Sequence, residues 1–307
     1  MNVSIILPTY NRVREFQRAL NSLLAQTYDN LEIVVVDDNG LGTDTQILIA
    51  SMCDNLPRVR YLPVVENLGG SLARDYGIQH CTGRYITFLD DDDVYRPDKV
   101  SQQLSYMVNH NLDICVCDMD MVNEAGAEHY FQDWHTKAVA SSLHEFLFHG
   151  VAFTPMIMMK KSVYLASDGF VKTPLFQDHI MMLNALHVSQ NIGVLRKPLF
   201  THHQTPGTRI SGTANKLEGY RIRYALEKKL CIMHGFDFKP LRENQLRTLL
   251  ALFKDRLGLC HYSQLCIELL WLKKNGQTIR WVAKSLIDYL RIRTRPLRSW
   301  IRQAIGA

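Results

Sequence analysis

Residues 83–100 read GRYITFLDDDDVYRPDKV. Tyr85 to Leu89 is a short run of aromatic and β-branched residues, the composition of a buried strand, and it runs straight into Asp90, Asp91, Asp92 and Asp93. Like charges about 4 Å apart repel by about 4 kcal/mol at an effective dielectric of ~20, so four adjacent carboxylates call for a neutralising partner. A divalent cation supplies one. Carboxylate oxygens suit Mg²⁺ or Mn²⁺, which take one or two protein carboxylates and complete the shell with water and substrate phosphate. The alternative is a solvated acidic loop.

Working outward, the first ~120 residues alternate short apolar strands with amphipathic helical patterns, the signature of βαβ units and a parallel sheet. The pattern predicts strands at Val3 to Leu7, Leu31 to Val36, Val59 to Pro63, Arg84 to Leu89 and Leu112 to Cys117. Between them it predicts helices from Val13, over Thr43 to Cys53, over Gly69 to Cys81, and to about Val108 with Pro97 in the first turn. The rhythm then changes to a loop from Asn123 to Lys137, a helix from Ser141, a strand at Met156 to Met159 and a helix around Phe176 to Val188. From about Asn215 every periodic segment is helical.

The chain has 307 residues, 47% hydrophobic and 21% charged, enough apolar material for a sizeable core and unlike a disordered chain. Seven scattered cysteines without paired spacing predict reduced core residues rather than a zinc site. The N-terminal segment lacks a basic region and a cleavage pattern, and the richest apolar stretch, Leu265 to Leu272, is interrupted by Glu268. These features predict a cytoplasmic chain without a transmembrane helix. The charge of +5 is concentrated in the tail, where Arg280, Lys284, Arg291, Arg293, Arg295, Arg298 and Arg302 face only Asp288.

Ligands of open α/β sheets bind beyond the carboxyl ends of the strands. Four such ends are polar: Pro8 to Asn11; Asp37 to Asn39; Glu66 to Gly70, leading to Arg74; and Asp90 to Asp93. A tyrosine can stack on a base, a carboxylate can accept from a base or ribose, and an arginine can pair with phosphate.

Together IILPTYNR at 5–12, VVVDDN at 34–39, NLGGSLARDYGI at 67–78 and GRYITFLDDDDVYRPDKV at 83–100 resemble the family 2 glycosyltransferases of the GT-A fold. The resemblance is specific over residues 1 to about 120 and weaker to about 212. It implies an α/β fold, a Rossmann-like mixed sheet flanked by helices, as a catalytic domain at 1–212. A nucleotide-sugar half would occupy 1–120 and an acceptor half 121–212, with a helical extension at 213–307. It also implies that Pro8, Tyr10 and Asp38 hold the base, Arg74 faces the diphosphate, Asp90 and Asp91 lie near the ribose and donor sugar, and Asp92 binds Mn²⁺ or Mg²⁺.

In LFQDHIMML at 175–183 the resemblance makes Asp178 the candidate base, with Gln177 where the family usually has an acid. Apart from the resemblance, Asp178 reads as an ordinary first-turn carboxylate. His203, in FTHHQTPGTRIS, falls where many members carry a histidine that approaches the metal, and His202 beside it belongs to the same pair.

The reaction implied is inverting transfer from a nucleotide-sugar, UDP-linked in the commonest case, to a hydroxyl of a glycan or lipid-linked saccharide. The setting implied is bacterial lipopolysaccharide, capsule or exopolysaccharide synthesis. A sugar nucleotidyltransferase is the second reading, weakened by the missing glycine- and lysine-rich phosphate loop, and a non-catalytic nucleotide-sugar-binding protein is the third. No nucleic-acid partner is expected. Between Ile279 and Leu290 a broad apolar stripe lies opposite basic residues, which predicts peripheral contact with anionic lipid at the cytoplasmic face of the inner membrane.

Overall fold

The computed structural model describes residues 1–122, 128–129, 137–203, 216–253 and 256–305; side chains at 128–129 and beyond 292 are not part of that description. The chain divides into two compact units, Met1–Glu227 and Lys228–Ala307. The division falls inside a helix, Lys216–Met233, rather than at the 212/213 boundary expected from sequence.

The first unit opens with β1 (Val3–Thr9), α1 (Val13–Leu24), β2 (Leu31–Asp37), α2 (Asp44–Cys53), β3 (Val59–Pro63), α3 (Gly70–His80) and β4 (Tyr85–Phe88). It continues through β5 (Val94–Tyr95), α4 (Lys99–Asn109), β6 (Ile114–Val122), β7 (Glu128–His129), α5 (Leu143–His149), β8 (Ile157–Lys160), α6 (Lys161–Ala166), α7 (Gln177–Val188) and β9 (Ile192–His203). The helix α8 (Lys216–Met233) carries the chain across the division.

One mixed sheet runs β3-β2-β1-β4-β8-β6-β9-β5, with β7 paired to β6. The strands β3, β2, β1 and β4 are parallel, β8 is antiparallel to both β4 and β6, and β9 is parallel to β6. All seven residues of β1 are buried, as its unbroken apolar run requires of a central parallel strand. In α1 the buried residues Phe16, Ala19, Leu20 and Leu23 recur at three- and four-residue steps and face the sheet. The helix α3 lies close on β1 and β2 because Gly77 has no side chain there: a Cβ would come within 2.7 Å of Ile6 and 2.9 Å of Val36.

Several local expectations shift. The helix α4 begins at Lys99 after Asp98, so Pro97 stands before its cap rather than in its first turn. The predicted loop from Asn123 lies mostly outside the described residues, although Glu128–His129 within it pairs with β6. The long strand β9 has no counterpart in the sequence-based expectation. Its centre, Leu195 to Pro198, carries Arg196, Lys197 and Pro198, which hide a strand pattern, and its pairing with β6 shifts register between Cys117 and Asp118. Six cysteines are buried as expected, while Cys260 is exposed.

The second unit contains α9 (Lys239–Leu252), α10 (Leu259–Leu272) and α11 (Gly276–Ile305). Tyr262 and Tyr289 stack at 4.2 Å, the Tyr262 hydroxyl shares a hydrogen bond with Ser285 Oγ at 2.6 Å, and Tyr289 donates to the Leu257 carbonyl at 3.0 Å. The apolar stripe expected for the membrane is therefore divided. Val282 is buried within the unit, as is Tyr289 outside the stripe, whereas Ile279, Ile287 and Leu290 are exposed. Among the described residues no helix is long and apolar enough to cross a membrane.

Candidate active site

The turn after β4 fans its four carboxylates out to different elements. Asp90 pairs with the guanidinium of Arg74 on α3. Asp91 accepts at Oδ2 from Thr9 Oγ1 (3.1 Å) and the Tyr10 N–H (3.2 Å), and at Oδ1 from Arg12 Nη1 (3.0 Å). Asp92 Oδ2 accepts from the same Arg12 nitrogen at 2.6 Å. Asp93 Oδ1 accepts the His203 N–H at 3.1 Å and lies 2.9 Å from His202 Nδ1.

Alternation sets which of them reach solvent. The Asp90 and Asp92 side chains are 31% and 16% exposed, against 9% and 1% for Asp91 and Asp93. Burial pushes Asp91 up to about 6, with Arg12 opposing and Asp92 reinforcing the shift. Asp92 moves upward as well, through burial and then repulsion from Asp90, with Arg12 pulling the other way. Asp93 is raised by burial and held back by His202. Burial pulls His202 down, but the carboxylates of Asp93, Asp92 and Asp90 together raise it above its ordinary value.

The outward pair fits a magnesium- or manganese-type ion. Two half-buried carboxylates at alternate positions of one turn are hard oxygen donors of the kind such an ion takes before donor phosphates complete its shell. Among the described residues no three His, Cys, Asp or Glu side chains group into an all-protein cage, which such an ion does not require. The imidazole that faces the aspartates is that of His202. His203 contributes its backbone N–H, and its ring is pushed down to about 4 by burial and then by Arg18 and His202. The sequence-based choice of His203 as the metal-side histidine is therefore corrected to its neighbour: adjacent strand residues point to opposite faces, and the strand that carries the pair was not foreseen.

Pro8 is buried in β1 opposite Val36, and Tyr10 just beyond it is 49% exposed, its ring available for stacking. Asp38 is spoken for differently. Its Oδ1 accepts the Leu68 N–H (2.6 Å), and its Oδ2 accepts the Gly69 N–H (2.9 Å) and Asn67 Nδ2 (3.0 Å), so it braces the turn that leads into α3. Gly69 makes that turn at φ +80, where a side chain would be strained.

Arg74 is buried and also donates to the Gly70 carbonyl at 2.9 Å and to Gln177 Oε1 at 3.0 Å, which brings α3 against the start of α7. Asp178, the next residue, is half-buried and raised to about 6 by burial, with Asp90 adding to the shift while the His179 N–H and Arg74 oppose it. The preceding Phe176 holds a left-handed backbone (φ 62), unusual for a bulky side chain. Arg223 lies over its ring at 4.9 Å and Tyr220 meets it edge-on at 4.8 Å. Behind Asp178, His179 reaches the fully buried Glu227 at 3.2 Å, and Arg223 Nε donates to the same oxygen at 2.6 Å. The segment after His203 lies outside the described residues.

Sequence reading placed no role on Arg12, Asp93, Arg223 or Glu227. Arg12 stands inside a quoted motif, but a single basic residue after a strand carries no signal of its partner. Asp93 and Glu227 meet His202 and His179 across the fold, while Arg223 and Glu227 form an i,i+4 pair on α8 whose burial the sequence does not show.

The family model described as "Glycosyl transferase family 2" matches residues 4–165. The chain is 29% identical over 300 residues to "Uncharacterized glycosyltransferase RT0329" of Rickettsia typhi, covering 94% of this chain and 91% of that one. It is 31% identical over 121 residues to "UDP-Glc:alpha-D-GlcNAc-diphosphoundecaprenol beta-1,3-glucosyltransferase WfgD" of Escherichia coli, covering 39% and 47%. Other relatives are much longer: the chain spans 21% of one from Rickettsia felis and 23% of one from Rickettsia conorii. Among solved structures, S. aureus TarS 1-349 in complex with UDP-GlcNAc superposes with a TM-score of 0.67 at 17% identity, covering 97% of this chain and 92% of TarS. The fold is the GT-A glycosyltransferase fold.

Proposed function

This chain belongs to glycosyl transferase family 2, and from that premise we propose that it is an inverting, divalent-metal-dependent glycosyltransferase. In this reading it moves a sugar from a nucleotide-sugar, a UDP-sugar first, to a hydroxyl of a glycan or lipid-linked saccharide in bacterial cell-surface polysaccharide synthesis. The observation that carries it is the convergence of the half-buried Asp90 and Asp92 with Arg74 and, through Gln177, with Asp178. The UDP-GlcNAc bound by TarS and the UDP-glucose and diphosphoundecaprenol substrates in the name of WfgD support the donor and acceptor classes.

Each residue then has a task. Tyr10 stacks on the base, Asp38 keeps the Asn67–Gly69 turn in place beside it, and Arg74 meets the diphosphate. Asp90 and Asp92 hold the cation, which when bound supplies charge stabilisation for the departing nucleoside diphosphate. Asp178 accepts the proton of the acceptor hydroxyl as its oxygen attacks the anomeric carbon and the bond to the diphosphate oxygen breaks. One displacement inverts the anomeric centre, so an α-linked donor yields a β-linked product. Peripheral binding to anionic membrane lipid through the second unit belongs to the same proposal.

A donor screen with Mn²⁺, read as nucleoside diphosphate release in the presence of saccharide acceptors, tests this. UDP-sugars are expected to turn over. Absence of release from every nucleotide-sugar, with the folded protein at high concentration, would refute the transferase reading.

A further inference from the structure

We propose that Arg12 is the internal counter-cation of Asp92, and that the guanidinium and a divalent cation are alternative partners for that carboxylate. The inference rests on the reading of Asp92 as a metal-binding residue and adds a competitor to it.

The geometry carries the argument. One nitrogen, Arg12 Nη1, sits 3.0 Å from Asp91 Oδ1 and 2.6 Å from Asp92 Oδ2. Asp91 already receives Thr9 and the Tyr10 N–H, so it keeps its hydrogen bonds if Arg12 shifts. For the Asp92 carboxylate, Arg12 is the paired guanidinium, and the contact covers an oxygen that an incoming cation would use. The arginine is held in place from its own side. Asn11 before it takes a left-handed turn (φ 56) and donates its N–H to Asn39 Oδ1 at 2.7 Å, and the Arg12 backbone caps α1. Arg74 on Asp90 and Arg12 on Asp92 already neutralise the two outward charges, so a divalent ion that replaces them adds no charge compensation by itself. The exchange therefore favours a divalent ion only when further oxygen ligands, such as a diphosphate, add to the gain. Arg12 thus links cation binding to donor binding: the cation alone binds weakly, and the donor brings it in.

The test is Mn²⁺ binding by the full chain, read from the EPR signal of free Mn²⁺ with and without UDP. Without nucleotide, Arg12→Gln is expected to bind Mn²⁺ at least about tenfold more tightly than the parent chain. Arg12→Lys should fall between the two, because an ammonium is more strongly hydrated than a guanidinium and holds the carboxylate less firmly. The gain should vanish in Arg12→Gln/Asp92→Asn. Folding of each variant is checked by thermal unfolding; if Arg12→Gln does not fold, Arg12→Lys decides alone. Equal or weaker Mn²⁺ binding by the folded variant overturns the inference while leaving the metal reading intact, provided the parent chain binds Mn²⁺ with UDP. No Mn²⁺ binding by any variant, with or without UDP, overturns both.

Discussion

Arg74 donates to Gln177 Oε1 at 3.0 Å while its other terminal nitrogen pairs with Asp90, so one guanidinium ties the acidic turn to the helix that carries Asp178. A neutral amide at 177 accepts from the arginine without competing for its charge. Gln177→Glu adds a carboxylate at the same place, and the expected result is a donor KM raised roughly fivefold, an effect of about 1 kcal/mol, with kcat less affected. Steady-state kinetics with varied donor check it; an unchanged KM would show that Arg74 does not meet the donor.

Asp92→Asn removes the charge of an outward carboxylate at constant shape. Turnover should fall at least about 100-fold, and excess EDTA should abolish activity of the parent chain, restored by Mn²⁺ or Mg²⁺. Full activity in EDTA would remove the metal from the mechanism.

Asp178→Asn should keep nucleotide binding, measured by calorimetry, and lose transfer by about 10²- to 10⁴-fold. The pH profile gives a second reading. A base works only when deprotonated, and Asp178 is raised to about 6, so kcat should rise with pH through about 6 and level off above it. A limb near 4, or one that survives in Asp178→Asn, would move the role elsewhere.

Glu227 is fully buried and accepts from both His179 and Arg223, which together hold its carboxyl below the ordinary range although burial alone would raise it. Removing one partner of a buried ion pair leaves an uncompensated charge, so Glu227→Ala should lower stability by about 3 kcal/mol. The sign with pH follows from the lowered value. Stability from this group is present above the unfolded carboxyl value and is lost as pH falls through the folded one, so acid should narrow the gap between the two proteins. Chemical denaturation at neutral and acid pH measures both.

Because α11 packs Val282 and Tyr289 within its unit, cutting the tail would disturb the fold; charge variants are the cleaner probe of membrane binding. Neutralising Arg280, Lys284 and Arg291 to Gln should weaken binding to anionic vesicles by about 3 kcal/mol, roughly 100-fold, and reduce its salt dependence. Co-sedimentation that is unaffected by lipid charge or by these substitutions would exclude the helix as an electrostatic anchor.

By itself the sequence determined the strands β1 to β4, the helices between them and the polar residues at their ends. Period-two and period-3.6 apolar patterns are local, and a parallel strand buried on both faces has to write itself as an unbroken apolar run. It also marked the acidic turn, since four adjacent carboxylates are costly wherever they fold. Tertiary structure decided which partner each carboxylate meets: Arg74 for Asp90, Arg12 for Asp91 and Asp92, His202 for Asp93. It made Asp38 the brace of the turn into α3, and it held Phe176 in a left-handed conformation against Tyr220 and Arg223. These pairings join residues 16 to 109 positions apart in the chain. No local period encodes them, because a side chain's partner is fixed by where strands and helices come to lie, and the charged centre of β9 concealed even the strand that delivers His202.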